Sequence, residues 1–240
     1  MSDPYLLLWL EAPLQSWGHD SHFGRRDSLD FPTKSGVLGL LCCARGAGGE
    51  EQDWLTAWAH LDMQVVGYVP QNKRGQPMPR QPLLRDFHMV GSGYDDRDPW
   101  QTLLIPKTNE GKKPNGAGTK MTYRYYLQDM AYAVALQAPA ALVDSAAESL
   151  VNPVWDLYLG RKNCVPTEFI YQGAFVNAEL ALEAGAAIAA GKNRTFALRV
   201  LQGEHEGEVL TLNDVPLQFG PHKKYQDRQV TVQKRSTEDD

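Results

Sequence analysis

Three short basic segments stand out among the residues able to do chemistry. Gly24-Arg25-Arg26 precedes Lys34-Ser35-Gly36, which opens a run of helical composition. A helix start offers free N–H groups and the positive end of the dipole, so Lys34 and Ser35 with Arg25 and Arg26 nearby make an anion site. A solvated charged loop fits the same residues. Between Gln101 and Gln128, the cations Lys107, Lys112, Lys113, Lys120 and Arg124 stand against one acid, Glu110, a balance of +4 in a chain of net charge −5. Tyr123-Arg124-Tyr125-Tyr126 lies within it, rings interleaved with a cation. Basic loops leading into aromatic strands hold single-stranded RNA by phosphate pairing and base stacking; an exposed linker followed by strand tyrosines is the plainer alternative. The third segment is Tyr158-Leu159-Gly160-Arg161-Lys162, where a glycine permits close backbone approach and two cations follow.

Other chemistries find no support. Gly111 and Gly116 have the interval of a phosphate loop, but Ala117-Gly118 replaces the required Lys-Ser/Thr. Gly46-Ala47-Gly48-Gly49 lacks the spacing of a dinucleotide fingerprint, and no HExxH, GxSxG or CxxC occurs. His19 and His22 sit three apart beside Asp20, too few ligands for zinc, and read as surface loop histidines. His88 reads as a packed or edge histidine of a strand. No catalytic residue, metal or cofactor is assigned.

The 240 residues, 42% hydrophobic and 22% charged, suffice for a packed core in one large domain or two small ones. A net charge of −5 excludes indiscriminate coating of nucleic acid, so any such role rests on local patches. No apolar run approaches a membrane span, the start lacks the basic residues of a secretory signal, and Cys42, Cys43 and Cys164 have no metal-ligand spacing. Core cysteines, a cytoplasmic location and no membrane partner are expected.

The elements that must position the basic segments follow from pattern. Tyr5 to Ala12 is almost continuously apolar, a strand covered on both faces. Lys34 to Arg45 is a helix capped by Thr33 or Ser35 and stopped by Gly46, and Glu50 to Leu61 a second helix. Met63–Val69 and Leu83–Val90 read as strands, Thr122 to Leu136 as strand chemistry, and Pro139–Leu150 as a helix ended by Asn152-Pro153. Further strands are expected at Thr195–Leu201 and Glu208–Leu212. Gly91 to Met121 holds eight Gly or Pro and no periodicity, the mark of a functional or disordered excursion. The order fits an α+β, ferredoxin-like or RRM-like domain over 1–150 with an insertion at about 91–121, followed by a smaller β-rich portion over 151–240.

Together these segments resemble the CasD family of type I-E CRISPR Cascade subunits, in the RAMP superfamily. The resemblance rests on Ala12-Pro13-Leu14-Gln15-Ser16-Trp17-Gly18, on Phe31-Pro32-Thr33-Lys34-Ser35-Gly36-Val37-Leu38-Gly39-Leu40-Leu41, and on Leu84-Arg85-Asp86-Phe87-His88. It continues through Thr122-Tyr123-Arg124-Tyr125-Tyr126-Leu127, Ala133-Val134-Ala135-Leu136 and Tyr158-Leu159-Gly160-Arg161-Lys162-Asn163-Cys164. It implies an RRM-like fold whose Gly91–Met121 excursion is a protruding thumb. It also implies a noncatalytic grip on the 5′ handle of the CRISPR RNA, capping CasC backbone subunits beside CasA, with target DNA met through the complex. Gln15 and Trp17 then join Arg25, Arg26, Lys34, Ser35, the four excursion lysines, Tyr123, Arg124, Tyr125, Arg161 and Lys162 as RNA-binding residues. Type I-C relatives cut their own repeat RNA, which makes metal-independent endoribonuclease the alternative. However, the nearest approach to their Lys-His motif, His222-Lys223, is reversed. Residues after about 175 match no motif.

Overall fold

The computed structural model describes residues 3–19, 21, 24–90, 97 and 120–235. In chain order the elements begin with β1 (Tyr5–Glu11), β2 (Leu14–Gln15), β3 (Arg25–Arg26), α1 (Lys34–Ala44), α2 (Gln52–Ala59), β4 (Met63–Pro70) and β5 (Leu84–Val90). Then come β6 (Lys120–Gln128), β7 (Ala131–Gln137), α3 (Val143–Val151), β8 (Tyr171–Phe175), α4 (Ala178–Gly191), β9 (Arg194–Gln202), β10 (Glu208–Gln218) and β11 (Lys224–Lys234).

β8, β1, β7 and β4 lie side by side in that order, each pair antiparallel. With α1 and α2 between β1 and β4 in sequence and α3 between β7 and β8, this is the ferredoxin-like arrangement expected. On the β4 side, β9, β11 and β10 extend it to seven strands. The boundary drawn at residue 150 thus falls ahead of β8, which completes the four-strand unit.

The apolar continuity of β1 has the cause inferred for it. Leu6, Leu8 and Leu10 enter a core shared with Leu38, Leu41, Trp58 and Leu150, whereas Leu7 and Trp9 face the other way. There α4 lies over Ala131, Ala133 and Ala135, whose small side chains leave room for a helix. Thr33 caps α1 through its Oγ1, which accepts from the Gly36 N–H at 3.1 Å. Asn177 caps α4 in the same way at the Leu180 N–H.

A second, smaller sheet is organised by β6, which pairs with β2 and β5 antiparallel and with β3 parallel. The Thr122–Leu136 stretch is therefore two strands in two sheets. Asp129, at φ 49°, turns the chain between them. Val90 pairs with Lys120, so the excursion begins and ends at the tip of the β5–β6 ribbon, and residues 91–96 and 98–119 lie outside the described residues.

The C-terminal hairpin is fastened to the N-terminal half by buried charge. Arg228 on β11 donates to both carboxylate oxygens of Asp214 on β10, at 2.7 and 2.9 Å, with both side chains out of solvent. Asp214 also accepts the Lys34 N–H at 2.7 Å.

Candidate nucleic-acid interface

Three residues expected to contact RNA, Gln15, Trp17 and Lys34, are structural instead. Gln15 is fully buried, and its amide donates to the carbonyls of Leu10 and Met130, clamping the two sheets together. Trp17 is buried as well, its indole N–H bonded to Gln15 Oε1 and its ring against Gly36 at the start of α1. Lys34 has no exposed surface; its ammonium donates to the carbonyls of Ala59 and Leu61 at 2.8 and 2.5 Å. Ser35 bonds Thr33 Oγ1, and the free end of α1 beside it already receives the Asp214 carboxylate. The start of α1 thus receives the protein's own Asp214 carboxylate and the Lys34 side chain is buried away from any RNA, whereas Ser35 is half-buried and lines a cleft with Gly18 and His19.

Burial, with Arg228 nearby, pushes the Lys34 ammonium down to about 8 from the ordinary 10.5. In that interval the unfolded chain holds the extra proton, so stability rises with pH from about 8 and the penalty is at full size below it. We expect urea midpoints to climb from about pH 8, followed only to about 9.0 because above it the thiols of Cys42, Cys43 and Cys164, whose pKa values burial raises, start the opposite drift, and Lys34→Met to flatten the climb. An unchanged slope in the variant would refute the assignment to Lys34.

The remaining basic segments do converge. Successive residues of a strand face opposite sides, and β3, β5 and β6 are in register. Arg25 is paired with Tyr123, Arg26 with Arg124, and Asp86 with Arg124. Arg26, Arg124, Asp86 and His88 therefore share one face of the ribbon. The 158–164 loop meets that face, bringing Arg161 and Lys162, and the result is a cleft of about 590 Å³. Among the described residues Arg26, Arg124 and Lys162 make no ion pair, and the one acid, Asp86, has His88 Nδ1 3.5 Å away. A cleft with this charge excess suits a phosphate backbone.

Arg161 is spent differently. Its guanidinium lies 4.6 Å from the centre of the Tyr126 ring and donates to the carbonyls of Tyr125 and Arg26, at 3.1 and 2.8 Å. It straps the loop across two strands. Gly160 makes the approach possible: at φ +91° its Cα sits against Ser16, whose carbonyl oxygen would be 1.7 Å from an added Cβ. Asn163 completes the clamp by donating to the buried Tyr126 hydroxyl.

The interleaved motif is thereby split. Tyr123 and Tyr125 stand on the opposite face of the ribbon with Arg25, whose guanidinium is 5.0 Å from the Tyr125 ring and ion-paired to Asp27. Phe87 and Tyr123, both about half exposed, meet there at 5.2 Å between ring centres. Lys107, Lys112, Lys113, His22 and the side chain of Lys120 lie outside the described residues. The sequence offers Tyr158 within its third basic segment, and His88 as a packed or edge histidine or, with His19, His22, Lys34 and Tyr123, as an acid or base for the cleavage alternative; it assigns no role to Asp86 or Asn163, and strand parity against Arg124 is the signal that places Asp86 and His88. Among the described residues no group of three or more His, Cys, Asp and Glu is placed to hold a metal.

A family model described as CRISPR-associated protein (Cas_Cas5) matches residues 5–231. The CRISPR system Cascade subunit CasD of Escherichia coli (strain K12) is 31% identical over 175 residues, 70% of this chain and 70% of that one. A solved chain of a CRISPR RNA-guided surveillance complex superposes with a TM-score of 0.67 at 28% identity, over 96% of this chain and 89% of its own. Another, described as a crystal structure of a Cas protein, gives 0.52 at 25% identity over 97% and 94%. The family match runs into β11, so it takes in the portion after residue 175 that the motifs leave unplaced. A ferredoxin-like sheet extended at one side, a second small sheet with a cationic cleft beside it, and a family match over nearly the whole chain place this protein in the CRISPR-associated Cas5 family.

Proposed function

We propose that this chain holds the repeat-derived 5′ handle of a CRISPR RNA in the cleft between the ribbon and the 158–164 loop, without cutting it, as a type I-E Cascade subunit. In that role it caps the CasC filament beside CasA, meets target DNA through the assembled complex, and works in the cytoplasm in antiviral defence. The observation that carries the reading is the convergence of Arg26, Arg124 and Lys162, distant in sequence and without ion pairs among the described residues, on one cleft. Arg161 acts there as the strap that sets the spacing of the others. Likeness to CasD and to a surveillance-complex chain supports the assembly context. In this reading the 91–121 excursion, most of it outside the described residues, has the thumb role toward the RNA and the backbone subunit, and the Val90–Lys120 pair brackets it.

A second reading, metal-independent cleavage, draws on His88 and Asp86 in the same cleft, an imidazole beside a carboxylate of the kind used in general base catalysis. One experiment separates the two. The chain is titrated with end-labelled repeat RNA over a range of salt concentrations, with and without EDTA, and the RNA is recovered on a gel. Intact RNA is expected. Its salt dependence should fall in Arg26→Ala/Arg124→Ala by about 0.7 in log–log slope for each phosphate the variant no longer neutralises. An unaltered slope would remove the cleft from RNA binding, and specific cleavage abolished by His88→Ala would establish the second reading.

A further inference from the structure

Tyr158 and Lys162 line two clefts at once: the cationic one of about 590 Å³ and an adjoining one of about 850 Å³. The second is walled by Val154, Trp155, Leu157 and Val165, with Asp156 and Cys43 also in its lining. The two clefts therefore adjoin at these residues, the first lined by guanidinium groups and the second a mostly apolar trough. Trp155 is 49% exposed, Val154 63% and Val165 62%, so the trough is open to a ligand.

The trough is built on rigid supports. The Val154 N–H donates to the Ala44 carbonyl at the end of α1 at 2.8 Å, and the Cys43 thiol donates to the Asp156 carbonyl at 3.4 Å. Gly46 and Gly48, following α1, leave room beneath: a Cβ on Gly46 would strike Val154 at 2.8 Å, and one on Gly48 would meet the edge of the Trp155 ring at 3.5 Å. The indole is thus propped from one side while half of its surface stays open. Cys43, expected in the core, is part of this wall.

We infer that the trough receives an unstacked base of the same RNA, laid against Trp155, while the adjoining phosphate sits among Arg26, Arg124 and Lys162. The inference rests on the RNA-binding reading above and adds a base-recognition subsite to it. The chemistry of the groove matches one nucleotide unit: an anionic group beside a flat, largely apolar one, with Lys162 at the junction. Proteins hold single strands by this pairing of cationic groove and aromatic platform, and the aromatic part is indifferent to charge. A protein segment docked in the trough is the competing occupant, and it gives the adjoining cation excess nothing to do.

The test uses the full chain, a fluorescein-labelled single-stranded RNA carrying the repeat-derived 5′ end, and variants Trp155→Ala and Trp155→Phe. Trp155→Ala should weaken binding about tenfold, the size of one base stack, with the salt slope unchanged because no cation is removed. Trp155→Phe should bind close to the parent level, which excludes misfolding of the loop as the cause. Replacing bases of the RNA one at a time by abasic sites should find one position that weakens the parent about as much and leaves Trp155→Ala unaffected. Native affinity in Trp155→Ala overturns the subsite, and if assembly with backbone subunits then fails, the trough docks protein. Loss of the salt dependence in Arg26→Ala/Arg124→Ala with Trp155 still contributing would keep the subsite for a base. A salt dependence that does not change in that double variant is instead the failure of the RNA-cleft reading itself.

Discussion

Asp214→Ala should unfold at a urea midpoint corresponding to a loss of about 3–5 kcal/mol, the range for removing one partner of a buried ion pair. The substitution leaves the Arg228 guanidinium out of solvent without its carboxylate, and Arg228 Nη1 already has no hydrogen-bond partner among the described residues. It also strips the Lys34 N–H of its acceptor, so the first turn of α1 loses its grip on β10. Asp214→Asn, which keeps an acceptor for that N–H but no charge, should fall between parent and alanine variant. RNA affinity of the folded fraction should stay near the parent value, because Asp214 lies outside the cationic cleft. A parent-like midpoint in Asp214→Ala would mean that the C-terminal hairpin is held by other interactions.

Gly160→Ala should be nearly as damaging to stability and far more so to binding. The new methyl would sit 1.7 Å from the Ser16 carbonyl oxygen, on a residue whose φ of +91° already disfavours a side chain. The loop must back away, breaking the bond from the Ser16 N–H to the Leu159 carbonyl and drawing Arg161 off the Tyr125 and Arg26 carbonyls. A loss of about 2–4 kcal/mol is expected from the strain and the broken hydrogen bonds, read by thermal melting. RNA binding should weaken with every cation still present, since their spacing is what changes. Arg161→Lys serves as the companion: it keeps the charge but cannot span two carbonyls with a planar fork, so it should lose affinity with a milder effect on melting. Full binding by both variants would show that the strap does not set the geometry of the cleft.

How much of this is legible in the sequence depends on the range of the interactions. β1 reads as covered on both faces because seven neighbouring residues state it. The Thr33 cap and the element order of the four-strand unit are equally local. Lys34 misleads because the sequence displays a lysine at a helix start, while the carboxylate that fills that start is 180 residues away. Gln15 and Trp17 sit in a motif of the family resemblance, yet Gln15 clamps two sheets and Trp17 holds Gln15 and packs on α1, which no spacing rule distinguishes from ligand binding. Tyr123, Arg124 and Tyr125 look like one interleaved surface in the sequence, although strand parity separates the rings from the cation. The same parity places Arg26 with Arg124 once β3 is known to pair with β6. That pairing is parallel, two residues long and almost a hundred positions distant, and it leaves no trace in either segment.

The position of β1 sets the schedule on which the chain can fold during synthesis. Its neighbours are Ala131–Gln137 on one side and Tyr171–Phe175 on the other. Until the ribosome has delivered Ala131–Gln137, β1 has no strand partner in its sheet, and until Tyr171–Phe175 follows, Leu6–Leu10 keeps one sticky, unpaired edge. Pairings of such long range are slow to close. An obstacle to translation between β7 and β8 would therefore release a chain in which β1 keeps one bare edge and is prone to aggregate.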